Sequence, residues 1–187
     1  MRILAVSGSL REGSFSTSLL RAAAEATPDG VELELWDGLG ELPLYDEDLD
    51  DGASVPAPVR RLRSDWAAAD AILFATPEYN GSVPGGLKNA IDWASRPPLE
   101  AALRNKPVAV VGASTGQFGA LWAQQDLKRI LGIAGARVVG TEIPVSRAHE
   151  RVDADGRLLD GEVFEQLRLH LTTLAAEAVA VPARVAA

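Results

Sequence analysis

Five short apolar runs, spread along the whole chain, constrain the fold more than any other feature of this sequence. They are RILAV (2–6), VELELW (31–36), DAILFAT (70–76), PVAVVGAS (107–114) and ARVVGTEIPV (136–145). All but the second are continuous apolar segments bounded by Gly, Pro, Ser or Asp, which is typical of strands buried on both faces of a parallel sheet. VELELW alternates apolar residues with Glu, so we expect one of its faces to be wet, as at a sheet edge.

Helical periods fill the intervals between these runs. Apolar residues recur there at three- and four-residue spacing, and the alanine-rich stretch STSLLRAAAEA follows the first run. Strands that alternate with helices predict right-handed crossovers and one parallel sheet covered on both faces. We find no internal repeat or interdomain linker and expect one α/β domain over residues 1–187. The helical stripes are Val59, Leu62, Trp66 and Ala69; Leu87, Ala90, Ile91 and Ala94; Leu127, Ile130, Leu131 and Ala134; and Val163, Leu167, Leu171, Leu174 and Ala178.

Composition limits the ligands that the chain can take. The 187 residues carry a net charge of −8, and this acidic excess disfavours a nucleic-acid partner or an anionic membrane surface. The absence of cysteine excludes disulfides, thiolate catalysis and Cys-ligated metal sites. No signal-peptide layout and no run of roughly 18 apolar residues occurs, which favours a cytoplasmic protein. Any anionic ligand must therefore be held locally, by a few side chains and backbone amides.

The acidic stretch DEDLDD carries part of a calcium-loop pattern. Asp46, Asp48 and Asp50 have the first three ligand spacings. However, Asp51 stands where the glycine is needed, and Ala57 stands where the bidentate Glu belongs. We therefore expect a solvated acidic loop.

The two histidines, His149 and His170, have no partner motif. His149 lies in a charged segment, and His170 lies off the apolar stripe of the last predicted helix. We therefore expect both on the surface and predict no metal site and no catalytic triad.

The first loop, residues 8–14 (GSLREGS), follows the first predicted strand. In doubly wound sheets, ligands bind beyond the carboxyl ends of the strands, so this loop is a candidate site. Its glycines have P-loop spacing, but Ser14 and Phe15 replace the required Lys and Ser/Thr, and no G-x-G-x-x-G motif is present. Ser9, Arg11, Ser14 and Ser16, together with the amides of the following helix, could bind one terminal phosphate. The alternative is a plain turn in which Ser14 or Ser16 caps that helix.

The second loop, residues 77–84 (PEYNGSVP), follows the third predicted strand. Pro77 stiffens the chain, Tyr79 offers a flat face, and Asn80 offers both a donor and an acceptor. Asn80-Gly81 is a turn signal, and Pro84 stands near the predicted start of a helix. The loop would suit a planar heterocycle, although a Pro/Gly-rich connector with a structural tyrosine explains the same residues.

The third loop, residues 114–120 (STGQFGA), follows the fourth predicted strand. Gly116 and Gly119 keep its backbone thin, so a flat ring could approach closely. Ser114 and Thr115 add hydroxyl groups. A glycine-rich turn before a helix is the alternative.

GSLREGSFS after the first run and PEYNGSVPGGLKNAIDW after the third together resemble the NADPH-dependent FMN reductase family. The resemblance spans nearly the whole chain, because the strand spacing and the STG stretch after the fourth run also fit. It implies a flavodoxin-like, doubly wound, five-stranded parallel sheet of order 2-1-3-4-5 with helices on both faces. Trp93 and Trp122 begin helical segments that this fold commonly uses at its dimer interface, and core packing would explain either residue nearly as well.

The resemblance also implies which residues bind the cofactor. Ser16 stands where many members have Asn, so we expect an altered affinity for FMN rather than its loss. Ala120 stands where a second glycine is common, which concerns only the local backbone path. The resemblance assigns the FMN phosphate to Ser9, Arg11, Ser14, Phe15 and Ser16. It assigns the isoalloxazine to Pro77, Glu78, Tyr79 and Asn80, largely through backbone groups, and its pyrimidine side to Ser114, Thr115, Gly116 and Gly119.

The function implied by the resemblance is an NAD(P)H-dependent reductase with non-covalent FMN. A hydride from NADPH or NADH would pass through FMN to quinones, azo compounds, metal oxyanions or free flavin by a ping-pong scheme. No protein residue is assigned a catalytic role, since the flavin carries the chemistry. Family members are usually homodimers or dimers of dimers. Two alternatives stay open: a flavodoxin-like one-electron carrier and a non-catalytic flavin-binding module.

Overall fold

A computed structural model describes residues 1–180 of the chain. It is an α/β structure in which strands and helices alternate, as the apolar runs predict. The strands are β1 (Arg2–Ser7), β2 (Glu32–Trp36), β3 (Ala71–Thr76), β4 (Pro107–Ala113), β5 (Arg137–Val138) and β6 (Pro144–Val145). The helices are α1 (Phe15–Glu25), α2 (Ala57–Ala68), α3 (Gly85–Ala94), α4 (Leu121–Ile133), α5 (Ala148–Arg151) and α6 (Gly161–Ala180).

The strands form one parallel sheet of order β2-β1-β3-β4-β5, which confirms the flavodoxin-like topology. Every residue of β3 and β4 is buried, whereas β2 lies at the edge and is partly exposed, as its alternating sequence predicts. Alternate residues of the central strands face opposite layers: Leu4 and Val6 pack beneath α2, α3 and α4, and Ile3 and Ala5 beneath α1 and α6.

The fifth apolar run forms two short strands rather than the single strand that we expected. β5 pairs with the start of β4, and β6 pairs with its end at Gly112 and Ala113. Between them the chain leaves the sheet at Gly140, whose φ of 73° is a left-handed conformation that ends the extended run. This detour places Val145 beside the third loop.

The apolar helical stripes are largely buried, and one histidine that was expected on the surface is buried with them. Val59, Leu62 and Trp66 of α2 are fully buried, and Trp93 lies in the core. The expectation that His170 lies on the surface is wrong: its side chain is 7% exposed and packs on the glycine surface of Gly140. Burial lowers the pKa of His170 to about 4, so the imidazole is neutral near pH 7.

The acidic loop and the other histidine lie where the sequence predicts. Asp46 accepts a hydrogen bond from the backbone N–H of Asp48 in a short 3₁₀ turn, and His149 is exposed beside Glu150. Among residues 1–180 no group of three or more acidic or histidine side chains could hold a metal ion. None of the helices in this part of the chain is both long enough and apolar enough to span a membrane.

Candidate functional site

The first, second and third loops follow three adjacent strands, β1, β3 and β4, at the carboxyl end of the sheet. β1 and β3 run in register through Ser7 and Ala75, and β3 and β4 through Thr76 and Gly112, so the three loops start at the same level. The strand order changes direction between β1 and β3, the position at which doubly wound sheets bind ligands. The topology therefore brings together the three stretches that the sequence singled out.

Gly8 lets the first loop lie directly against the second. Its N–H donates a 2.7 Å hydrogen bond to the carbonyl of Ala75, at the end of β3. A Cβ at position 8 would lie 2.9 Å from Leu87 Cδ2 and 3.3 Å from Pro77 Cδ. The absence of a Cβ at position 8 therefore allows these two loops to approach closely without displacing Leu87 or Pro77.

The serines at the start of α1 do not cap this helix. Ser14 occupies the N-cap position, but its side chain makes no capping hydrogen bond. Ser16 is 1% exposed, and its Oγ has no hydrogen-bond partner among the described residues. Ser14 thus stands at the N-cap position that the capping alternative assigns to it, but neither serine makes the capping hydrogen bond. Two buried hydroxyl-bearing residues and the unsatisfied amides of the first helical turn remain available to an acceptor-rich ligand.

Arg11 lies beside this helix start. Its guanidinium carbon is 5.3 Å from the centroid of the Phe15 ring, and its backbone N–H donates to Ser9 Oγ at 3.3 Å. Phe15 is half-buried against the helical layer of α1 and α6, whereas Arg11 is exposed. The structure thus brings Ser9, Arg11, Ser14, Phe15 and Ser16 into one cluster that joins hydroxyls, amides and one positive charge.

The second loop contains a tight hairpin turn. Tyr79 and Ser82 exchange two backbone hydrogen bonds of 3.1 Å. Asn80 and Gly81, between them, have φ values of 52° and 75°, as a type I′ turn requires. Tyr79 is 54% exposed at this turn, while Pro77 is half-buried against the first loop. The turn predicted from Asn80-Gly81 is confirmed, and it presents a flat aromatic side chain to solvent.

Glu78 has a role that the sequence did not indicate. Its carboxylate accepts a 3.1 Å hydrogen bond from the backbone N–H of Ala123, in the first turn of α4. That helix begins after Ala120, which has a left-handed φ of 59° and provides no side-chain cap. The side chain of Glu78 therefore caps α4 from the neighbouring loop.

A second contact joins the same loop to α4. Ser82 Oγ donates a 2.6 Å hydrogen bond to Asp126. This hydrogen bond, followed by one from Arg129, lowers the pKa of the Asp126 carboxyl. The second loop is thus anchored to α4 at two points.

We expect Glu78→Ala to lower the free energy of unfolding by about 1–2 kcal/mol, the usual value of a lost helix cap. Glu78→Gln should recover most of this loss, since an amide oxygen also accepts the N–H of Ala123. Urea denaturation of both variants checks this result. Equal destabilisation by Ala and Gln would show that the carboxylate charge, and not the hydrogen bond, matters.

The third loop is held by the segment that follows it in the sheet. The N–H of Ser114 donates to the carbonyl of Val145, and the carbonyl of Ser114 accepts the N–H of Ala148. Gly116 accepts a hydrogen bond from the N–H of Arg147 at 3.0 Å. The predicted residues Ser114, Thr115 and Gly116 thus lie at the carboxyl end of β4, with Thr115 and Gly116 exposed.

Two aromatic side chains beside the third loop were not predicted as part of the site. Phe118 and Trp122 are both 47% exposed, and their ring centroids are 4.7 Å apart. Trp122 is therefore not a core residue. No sequence periodicity distinguishes such a pair from ordinary helix positions.

The fold defines a flavodoxin-like protein, in which a cluster of hydroxyls, helix-start amides and one arginine follows β1 at the switch point of the sheet. The structure superposes on the flavoenzyme NAD(P)H:(acceptor) oxidoreductase FerB from Paracoccus denitrificans with a TM-score of 0.85 and 34% identity, covering 96% of this chain and 97% of that one. In sequence the chain is 45% identical over 175 residues to an NAD(P)H-dependent FMN reductase of Pseudomonas aeruginosa, which covers 93% of each protein.

A quinone reductase of Escherichia coli is 37% identical over 174 residues, 92% of this chain and 90% of that protein. The family model described as NADPH-dependent FMN reductase matches residues 1–150. The chain therefore belongs to the NADPH-dependent FMN reductase family. It is an oxidoreductase of the FMN- and NAD(P)H-dependent class, and the resemblance identified from the sequence is confirmed.

Proposed function

We propose that this protein is an NAD(P)H:quinone reductase that holds FMN across the first, second and third loops. The observation that carries the proposal is the buried Ser16 hydroxyl, which has no hydrogen-bond partner at the uncapped start of α1. Buried polar groups in proteins are nearly always paired, and an acceptor atom of a ligand would give this hydroxyl its partner. The FMN phosphate supplies such acceptors.

The phosphate would be held by the cluster at the start of α1. The amides of the first helical turn and the helix dipole favour an anion there. Ser9, Ser14 and Ser16 would donate hydroxyl hydrogen bonds, and Arg11 would add a charge-assisted one. Phe15 keeps the guanidinium over the helix start, at 5.3 Å from its ring. These groups make the site locally positive, although the whole chain carries a net charge of −8.

The isoalloxazine ring would lie between the second and third loops. Pro77, Tyr79 and Asn80 would contribute from one side, together with the backbone of Glu78, because the carboxylate of Glu78 is already bonded to α4. Ser114, Thr115, Gly116 and Gly119 would edge the pyrimidine side. The hydrogen bonds that join these loops to α4 and β6 keep both edges of this site in place.

FMN, when bound, supplies two-electron transfer between NAD(P)H and an acceptor. The residues of this chain bind and orient it, and we assign no side chain a proton-transfer role. We expect the nicotinamide and the acceptor to use the exposed side of the loops, at Tyr79 and Asn80, in turn. Quinones are the acceptor class that we favour, because relatives of this similarity are named quinone reductases.

Initial-rate kinetics test this alternation. NADPH is varied at several fixed concentrations of a benzoquinone, with FMN saturating. Ping-pong exchange gives parallel double-reciprocal lines. Lines that converge would show that both substrates bind together. Bound FMN that NADPH does not reduce would favour an electron carrier or a non-catalytic module.

If Ser16 binds the phosphate, Ser16→Ala should affect protein stability and FMN binding differently. In the absence of ligand, Ser16→Ala removes a buried hydroxyl that has no partner, so we expect the free energy of unfolding to stay constant or rise by up to about 1 kcal/mol. With FMN, the same change should weaken binding about tenfold or more, because a hydrogen bond to a charged group is lost.

Thermal denaturation of Ser16→Ala without ligand measures the change in stability. Titration of the same variant with FMN measures the change in affinity. Ser18→Ala is the matched control, since Ser18 is a buried serine further along α1 and should leave FMN affinity unchanged. Loss of stability without loss of FMN affinity would contradict the assignment of Ser16.

We also propose that a second copy of the chain packs against the groove between α3 and α4. This groove has a volume of about 710 Å³. Its lining carries charges of both signs, as the Lys88–Asp92 and Arg129–Asp126 pairs, and the 77% exposed Ile133. A two-fold dimer needs a self-complementary surface, and charges of both signs beside an exposed apolar side chain can pair with the same groups of a second copy.

Sedimentation velocity tests whether two copies of the chain associate through this groove. We expect a dimer for the natural chain and a monomer for Ile133→Asp, because an unpaired carboxylate would be buried at the contact. Leu169→Asp, at an exposed position of α6, should leave the dimer intact. A dimer that Ile133→Asp does not disturb would place the contact elsewhere.

A further inference from the structure

Gln124 is a completely buried polar residue that bridges two separate backbone segments. It lies on α4 with 0% exposure. Its Nε2 donates to the carbonyl of Gly119 at 3.2 Å, and its Oε1 accepts the N–H of Ile143 at 2.9 Å. Gly119 belongs to the third loop, and Ile143 belongs to the connector between β5 and β6. The side-chain amide therefore links the third loop to the connector between β5 and β6, at backbone groups that do not take part in strand pairing.

β4 makes room for this side chain. A Cβ at Gly112 would lie 2.6 Å from Gln124 Nε2 and 2.9 Å from its Cδ and Cγ. Position 112 is thus restricted to glycine by the amide that lies on it. A leucine at position 124 would have a similar volume and no polar atoms, so packing alone does not require a glutamine here.

The connector returns to the third loop. Two residues after Ile143, the carbonyl of Val145 accepts the N–H of Ser114, and Arg147 donates its N–H to Gly116. One turn further along α4, Lys128 Nζ donates to the carbonyl of Gly140 at 2.8 Å. The third loop is consequently fixed at its start by the connector and at its end by Gln124, which also holds the connector.

We infer that Gln124 is a positioning residue for the flavin: its amide fixes the conformation of the third loop that binds the pyrimidine side of FMN. The inference rests on the proposed function, since it takes the third loop as part of the FMN site. Gln124 acts through Gly119 and Ile143 and itself touches no ligand. Its removal leaves a buried carbonyl and a buried N–H without partners, and the loop must move to satisfy them.

Two variants test the inference by FMN fluorescence quenching. Gln124→Leu should raise the dissociation constant about tenfold, a change of about 1.4 kcal/mol. Amide hydrogen exchange of residues 114–120, measured without FMN, should become faster in this variant. Gln125→Leu, at the exposed neighbouring position, is the matched control and should change neither quantity.

Gln124→Glu adds a pH signature to the FMN affinity of the folded protein. A carboxylate can still accept the N–H of Ile143 but faces the carbonyl of Gly119 without a proton to donate. Burial raises the pKa of such a carboxyl, and the protonated form restores the donor. The ratio of FMN affinities, variant to wild type at each pH, should therefore be low at pH 8 and approach one as the pH falls to 5.5.

The outcomes separate this inference from the proposed function. If the natural chain does not bind FMN, the proposed function fails. The positioning role is overturned if the natural chain and Gln124→Leu bind FMN with the same affinity and show the same amide hydrogen exchange at residues 114–120. Where Gln124→Leu does not fold, Gln124→Glu decides: a ratio that is independent of pH overturns the role, and a ratio that recovers in acid supports it.

Discussion

Gly119→Ala is expected to lower the free energy of unfolding by about 2–5 kcal/mol and to weaken FMN binding about a hundredfold. Gly119 has a φ of 57°, where an alanine is strained. An added Cβ would lie 2.5 Å from the carbonyl carbon of Pro144 and 2.6 Å from the nitrogen of Val145. Both are backbone atoms of the segment that holds the third loop, so the loop must move away from it. Thermal denaturation and FMN titration measure the two effects.

Gly116→Ala is the matched control in the same loop. A Cβ at Gly116 would meet Ser114 Oγ at 3.6 Å, an ordinary contact, and Gly116 is not among the glycines with a positive φ. We therefore expect a change in stability within about 0.5 kcal/mol. Equal losses of FMN affinity at the two positions would mean that the loop tolerates no side chain near the ring, whatever its backbone conformation.

Arg11→Ala is expected to weaken FMN binding by about 1.5–3 kcal/mol, a factor of roughly 10 to 150, the range for a hydrogen bond to a charged group. The unfolding free energy should change little, because Arg11 is exposed and makes few packing contacts apart from Phe15. Equilibrium titration with FMN, at constant ionic strength, gives the value. Unchanged FMN affinity would remove Arg11 from the phosphate site.

Riboflavin supplies the ligand control for Arg11. It carries the same ring system and ribityl chain as FMN but lacks the phosphate. Arg11→Ala should therefore leave riboflavin affinity unchanged, so the natural chain and the variant differ for FMN alone. A parallel loss for both ligands would show that Arg11 shapes the loop rather than pairing with the phosphate.

The sequence predicted the order of the elements and the position of the site because both follow from local patterns. Continuous apolar runs identified the buried strands β3 and β4, and alternation identified β2 as an edge. Parallel pairing then brings the carboxyl ends of adjacent strands together, whatever the details of packing. The Asn80-Gly81 turn followed from the conformations that these two residues tolerate.

The missed features depend on contacts between distant parts of the chain. Glu78 meets the amide of Ala123, 45 residues away, and Gln124 meets Ile143, 19 residues away. His170 is expected on the surface because it lies off the apolar stripe of its own helix, yet Gly140, in the connector between β5 and β6, packs against its side chain. The pattern of apolar residues predicts one strand for the fifth run because it contains no sign of the positive φ at Gly140.

The central claim is that these loops hold FMN where NAD(P)H can reduce it, and one anaerobic experiment tests it most directly. The purified protein is mixed with FMN, separated from free flavin, and its visible spectrum is recorded before and after addition of NADPH and then of a quinone. We predict flavin absorbance that stays with the protein, bleaches with NADPH and returns with the quinone. Protein that emerges without flavin absorbance would contradict the site, and bound flavin that NADPH leaves oxidised would contradict the reductase function.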